Sequence, residues 1–149
     1  MKLELKRATI ADLKSVSHLF NLYRIFYEQT STIEDCEKFI SERLTKNDSV
    51  IFVVEFENKL VGFTQLYPTF SSVSMKSIWI LNDLYVDETA RNLGVAQKLL
   101  DAVKNFALQT GAKSIQLETA ETNKVAKKLY EKNGYKLDNS YLSYSINLE

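Results

Sequence analysis

The stretch SIWILNDLYV, Ser77–Val86, constrains the fold more than any other part of this chain. Apolar side chains occur at both parities, so a strand here carries apolar groups on both faces. Such a strand escapes water only when other elements cover its sheet on each side. The flanking sequence supplies that cover. Downstream, a helical pattern over 95–109 aligns Val95, Leu99, Leu100, Val103, Phe106 and Ala107 on one stripe, with Gly111 just past its end. Upstream, Leu13, Val16, Leu19, Phe20, Tyr23 and Tyr27 are spaced as one helix over 10–28.

The other elements follow from the same periodicities. Leu3–Thr9 alternates as a half-buried strand. A second helix is predicted within 31–47, with Ser31 or Thr32 as N-cap and Cys36, Phe39, Ile40 and Leu44 on one stripe. Residues 50–70 read as two strands joined by a tight turn at Glu57–Lys59, with Pro68 marking an irregular or edge position. KSIQLET, 113–119, alternates as another strand. A short helix over 122–134, capped by Thr122 or Asn123, stops at Asn133–Gly134. Two strands, 135–138 and 140–148, are expected to close the chain. The order β-α-α-β-β-β-α-β-α-β-β describes an α/β (α+β) domain with a mixed sheet. No repeat, low-complexity tract or Pro/Gly-rich linker interrupts it, which fits one domain over 1–149.

Charge and cysteine usage narrow the function. Nineteen basic and nineteen acidic residues cancel, so no polyanionic partner such as nucleic acid is expected. One cysteine, Cys36, forms no intramolecular disulfide and argues against a cysteine-based metal site; no metal is expected. The lone His18 falls in a helical pattern and reads as a helix residue rather than a catalyst. No apolar run approaches the ~20 residues that cross a bilayer. The N-terminus is strand-like rather than a signal peptide, so the cytoplasm is the expected location.

Two stretches carry chemistry. Arg91-Asn92-Leu93-Gly94-Val95-Ala96 lies where the Ser77–Val86 strand gives way to the 95–109 helix. A helix N-terminus offers unpaired N–H groups and partial positive charge, and Arg91 adds a formal one. Small residues there admit an anion such as a pyrophosphate, although Gly94 could equally serve only the turn. No Walker or dinucleotide-turn spacing is present. The second stretch, 121–135, places Asn123, Ala126 and Tyr130 on one helical face, leaving room beside the small Ala126 for a bound group. Tyr130 could instead be a packed core tyrosine.

Taken together, Arg-x-x-Gly-x-Ala opening a helix and Asn-x-x-Ala-x-x-Leu-Tyr-x-x-x-Gly-Tyr on the next one resemble the GNAT superfamily of acyl-CoA-dependent N-acetyltransferases. The element order matches over nearly the whole chain. The one departure, Asn92 where many members have glycine, falls at a variable position. The resemblance implies acetyl-CoA as cofactor. Backbone groups of Leu84, Tyr85 and Val86 would pair with the pantetheine arm like an added strand. The 77–86 and 113–119 strands would splay to admit it. The amides of Asn92, Leu93, Gly94, Val95, Ala96 and Gln97 would hold the pyrophosphate. Asn123 would bond the amide-bearing arm, and Ala126 would give it clearance. Tyr130 would act as general acid toward the departing thiolate. A backbone N–H near Leu84 would supply the oxyanion donor. Cys36 has no recognisable base partner, so direct amine attack is expected.

The acceptor end is less sharply drawn. Residues 67–86 resemble the polyamine and thialysine branch of the family, but Asn82 stands where that branch has a carboxylate and cannot act as a base. Asp83 could order a water instead, although alternation puts it on the opposite face of the strand from Asn82. The cluster Tyr23, Arg24, Tyr27 and Glu28 lies where family members build the acceptor pocket. The two tyrosines could equally be core-facing and the charges merely solvated. Glu28 would favour a cationic amine; Arg24 would favour an acceptor carrying a carboxylate. The leading expectation is acetyl transfer to a small-molecule amine, polyamine or amino-acid-like. The segment 68–77 favours this by being long enough to fold over a small acceptor. The alternatives are a protein or peptide N-terminal acetyltransferase and a non-catalytic acyl-CoA-binding module, the latter disfavoured by retention of Tyr130. A homodimer using the C-terminal strands is the family-based expectation for assembly.

Overall fold

A computed structural model describes residues 2–30 and 32–149. The chain divides into two compact units, Met1–Glu118 and Thr119–Glu149. In the first, strand β1 (Leu3–Arg7) leads through a short 3-10 turn, Ile10–Asp12, into helices α1 (Leu13–Phe26) and α2 (Ile33–Lys46). The predicted helix over 10–28 thus starts as a tighter turn. Thr9 and Asp12 form a capping box there, the Thr9 N–H donating to the Asp12 carboxylate at 2.9 Å. Thr32 caps α2 by accepting from the Asp35 N–H at 3.2 Å; Ser31, the alternative cap, lies outside the described residues. Strands β2 (Val50–Phe56), β3 (Lys59–Ser71) and β4 (Lys76–Val86) form an antiparallel meander, followed by α3 (Val95–Gln109) and the short β5 (Ile115–Gln116).

The sheet order is β1-β2-β3-β4-β5, antiparallel except for the parallel β4–β5 pair. Glu57 and Asn58 both take positive φ, 51° and 63°, and turn β2 into β3 with Phe56 opposite Lys59. Alternation assigns the two faces. Ile51, Val53 and Phe63 pack with Val16, Leu19 and Ile40 of α1 and α2. Phe52 meets Phe106 of α3 on the other side, ring centroids 5.6 Å apart. The sheet is therefore covered on both faces, as the apolar Ser77–Val86 pattern requires.

Three expectations need correction within this unit. Residues 68–77 do not fold over as a cover: they extend the β3–β4 hairpin, with Pro68 opposite Trp79 and Ser71 opposite Lys76. Pro68 lies beyond the last β2 pairing at Leu66, where its missing N–H costs no ladder bond. The strand predicted over 113–119 is only two residues long, pairing at Trp79↔Ile115 and Ile80↔Gln116. Finally, β3 Gln65 opposes Asp83 while Leu66 opposes Leu81, so Asn82 is an extra residue, a β-bulge. A bulge bends its strand and breaks the pairing pattern, and the β4–β5 ladder ends two residues before it.

In the second unit, α4 (Lys124–Lys132) is capped by Asn123, whose side-chain oxygen accepts from the Ala126 N–H at 3.1 Å. The helix ends at Asn133, and Gly134 takes φ 90°. The two closing strands expected over 135–138 and 140–148 are absent among the described residues. Alternating sequence makes a strand only where a neighbour completes the ladder. Leu137, Tyr141, Leu142, Tyr144, Ile146 and Leu148 have no ladder partner and are exposed.

Candidate active site

The β4 bulge brings two side chains together that regular alternation would separate. Asn82 Nδ2 donates to Asp83 Oδ1 at 2.7 Å. From β3, Gln65 Nε2 donates to Asp83 Oδ2 at 2.7 Å, and Ser49 Oγ donates to Gln65 Oε1 at 2.9 Å. Asp83 is only 2% exposed. Burial pushes its carboxyl above the ordinary carboxylate range, against the opposing effect of hydrogen bonds from Asn82, Gln65 and Tyr23. A carboxylate so placed holds its proton to higher pH than an exposed one. The shift is in the direction that general-base work calls for.

Asn82 and Asp83 line a pocket of about 220 Å³. Its walls are the rings of Phe20, Tyr23 and Tyr27 from the α1 segment, Phe39 from α2 and Tyr67 from β3, with Arg24 and Gln29 completing it. Tyr23 belongs to both core and pocket: its ring packs edge-on to Phe63 at 5.8 Å, and its hydroxyl donates to the Asn82 carbonyl at 3.1 Å. Burial and the nearby Asp83 raise the Tyr67 phenol far above its usual range, so it stays a neutral donor. Glu28 does not line the pocket. It sits past the end of α1 at φ 59°, exposed. Four of the predicted residues, Tyr23, Arg24, Tyr27 and Asp83, thus converge with Asn82, and Glu28 does not. Sequence periodicity pointed to neither Gln65 nor Tyr67, because both read simply as strand residues.

Beyond the bulge, β4 has one open edge. The Asp87 N–H donates to the Val61 carbonyl of β3 at 2.8 Å. Alternation then turns the backbone groups of Tyr85 to β3 as well, and those of Leu84 and Val86 to the opposite edge. Arg91 Nε reaches the Val86 carbonyl from that edge at 3.1 Å, its guanidinium 5.7 Å from the Tyr85 ring centroid. Of the three residues expected to pair with an added strand, Tyr85 therefore spends its backbone groups on Phe63, its partner in β3.

At the corner, Asn92 and Gly94 both have positive φ, 67° and 86°, and Gly94 is the N-cap of α3. A Cβ at Gly94 would meet nothing within 4 Å. The glycine therefore serves the left-handed turn, and the space before the helix is open. First-turn amides of α3, at Val95, Ala96 and Gln97, have no carbonyl one turn earlier in the helix to bond. The open edge at Leu84 and Val86, followed by an open helix N-terminus, fits an extended chain ending in a pyrophosphate. Gly62, beneath this corner, has a different reason to be glycine. A Cβ there would lie 2.6 Å from Val95 Cγ1 and 3.3 Å from the Tyr85 carbonyl oxygen.

In the second unit, Asn123 uses its side-chain oxygen for the cap, leaving its NH₂ group to donate. Ala126 and Tyr130 are both half-buried on α4. The Tyr130 ring meets Tyr135 edge-on at 5.8 Å, and the Tyr135 hydroxyl is buried with no hydrogen-bond partner among the described residues, its pKa pushed up to about 12 by burial.

A mixed sheet whose inner strand is paired only part-way along one edge, next to a glycine-led helix, is the architecture of acyl-CoA-dependent N-acetyltransferases. The chain belongs to the acetyltransferase (GNAT) family, whose model matches residues 14–135. It is 45% identical over 146 residues to the uncharacterized N-acetyltransferase YhfO of Bacillus subtilis (strain 168), covering 98% of each chain. A crystal structure of a probable acetyltransferase superposes with a TM-score of 0.92 at 39% identity, covering 100% of this chain and 99% of that one. An aminoglycoside acetyltransferase from an uncultured soil metagenomic sample shares the fold, with a TM-score of 0.80 at 22% identity over 99% and 97% of the two chains.

Proposed function

We propose that residues 1–149 act as one catalytic domain that acetylates the primary amine of a small molecule by direct attack in a ternary complex. The supporting observation is the buried Asp83 in the lining of an aromatic pocket, one residue before the open edge of β4. Acetyl-CoA, when bound, supplies an activated acyl group with a thiolate leaving group. The open edge at Leu84 and Val86 would receive its pantetheine arm. The amides of Asn92–Gln97 would hold its pyrophosphate, with Asn123 donating to the arm and Ala126 giving clearance. The incoming ammonium passes a proton to Asp83, directly or through a water, and Asn82 and Gln65 hold that carboxylate in place. With acetyl-CoA bound, a nitrogen–carbon bond would form as the carbon–sulfur bond breaks; the Leu84 N–H would serve the developing oxyanion, and the family resemblance gives Tyr130 the role of proton donor to the departing sulfur.

No helix among the described residues is long and apolar enough to cross a membrane; a cytoplasmic enzyme is the simplest setting for this chemistry. The exposed alternating residues of 140–148 support a homodimer built on that segment. The reading is tested by an acetyl-transfer screen against amines, amino acids and peptides, following thiol release. Turnover on small amines supports it. Turnover confined to peptides, or on no acceptor, overturns it.

A further inference from the structure

Resting on the acetyl-transfer reading of the pocket, we infer that the acceptor is an amino acid with an apolar or aromatic body, its carboxylate held by Arg24. Two ionisable side chains of opposite type, Asp83 and Arg24, line the pocket among the rings of Phe20, Tyr23, Tyr27, Phe39 and Tyr67. Asp83, the proposed base, lines it one residue before the open edge of β4 that would bring the acetyl group in. On that reading the amine lies beside Asp83. Arg24, also in the lining, is half-buried one turn along α1 from Phe20.

The four arginines of the chain differ in occupation. Arg7 lies over the Phe106 ring at 5.5 Å. Arg43 lies over Phe39 at 4.7 Å and pairs with Asp48 at 2.7 Å. Arg91 is tied to Val86 and Tyr85. Among the described residues, the Arg24 guanidinium has no ion pair, hydrogen bond or ring partner of this kind. A planar, always-charged fork facing a pocket suits a carboxylate. Glu28, the residue that would have favoured a polycation, is outside the pocket. A polyamine would set its second ammonium against Arg24, a like-charge contact.

Size agrees with charge. Sites for drug-sized molecules run from about 300 to 1,000 Å³, and this pocket is about 220 Å³. Tyr27 and Phe39 offer ring faces and edges to a flat side chain.

The test compares phenylalanine, phenylalaninamide and phenethylamine as acceptors with acetyl-CoA, in the wild type and in Arg24→Leu and Arg24→Lys. Phenylalanine is expected to exceed phenethylamine in kcat/KM by about 10- to 100-fold, the worth of hydrogen bonds to a charged group. Arg24→Leu collapses that ratio toward one, and Arg24→Lys restores part of it. In parallel, phenylalanine binding is followed by tyrosine fluorescence in the absence of turnover. Carboxylate-dependent binding that Arg24→Leu abolishes supports the assignment even if no acceptor turns over, a result that would instead sink the acetyl-transfer reading. A wild type that favours phenethylamine, or a ratio unchanged in Arg24→Leu, overturns the amino-acid assignment whatever the turnover.

Discussion

The side-chain amide of Asn82 donates to the carboxylate of its own neighbour, Asp83, at 2.7 Å within a strand. Neighbours in a regular strand point to opposite faces and cannot do this. The bulge at Asn82 makes the contact possible, and it converts two residues that seemed to divide a role into one unit. Asn82 is no base, but it orients the carboxylate proposed as one.

Asp83→Asn should lower kcat/KM by roughly 10²- to 10⁴-fold, the range for loss of a general base. The wild-type profile of kcat/KM should rise with pH through a limb above the ordinary carboxylate value of 3.8. That limb should vanish in the variant. A variant with wild-type turnover and an unchanged limb would remove Asp83 from the proton path.

Stability gives an independent reading of the same group. The folded-state pKa of Asp83 is raised, so the native protein retains a proton that the unfolded chain has released. Stability must then fall as pH climbs from 3.8 through the folded-state pKa, and the loss is complete above it. Asp83→Asn lacks that penalty. The difference in Tm, variant minus wild type, should grow with pH across this window; a constant or shrinking difference contradicts the assigned direction.

Gly94→Ala should cost about 1 kcal/mol through its left-handed φ alone, since nothing crowds a Cβ there. Gly94→Glu should in addition abolish the rise in Tm that acetyl-CoA produces. An undiminished rise in that variant would rule out this corner as the pyrophosphate seat.

Gly62→Ala acts by collision rather than by dihedral strain and should cost about 1–3 kcal/mol. Shortening the struck side chain with Val95→Ala should return part of that loss in the double variant, a coupling that chemical denaturation can measure. Additive effects would show that the two positions do not press on one another.

Tyr130→Phe should preserve the acetyl-CoA shift in Tm while lowering kcat. Full turnover would remove the general-acid role from the phenol.

The fold was legible wherever one segment's pattern determined its own state. The apolar run 77–86, the stripe from Val95 to Ala107 and the cap at Thr32 are all local signals. What escaped depended on partners. The length of β5 depends on a bulge in β4, and no periodicity announces a bulge. The C-terminal alternation is real, but a ladder needs a second strand. The pocket beside Asp83 was half visible: Tyr23, Arg24 and Tyr27 share a helical neighbourhood, whereas Gln65 and Tyr67 join only through β3. The polarity left open between Arg24 and Glu28 turns on where α1 ends, a matter of one or two residues.

Gly62 and Gln65 lie three residues apart on β3 and face opposite sides of the sheet. One seats the start of α3 against the strand; the other grips Asp83. At about 3.3 Å per residue, a single strand thus sets a spacing of roughly 10 Å between the two fixtures. The strand works as a covalent gauge block between the α3 corner and the pocket beside Asp83, and sliding its register would detune both at once.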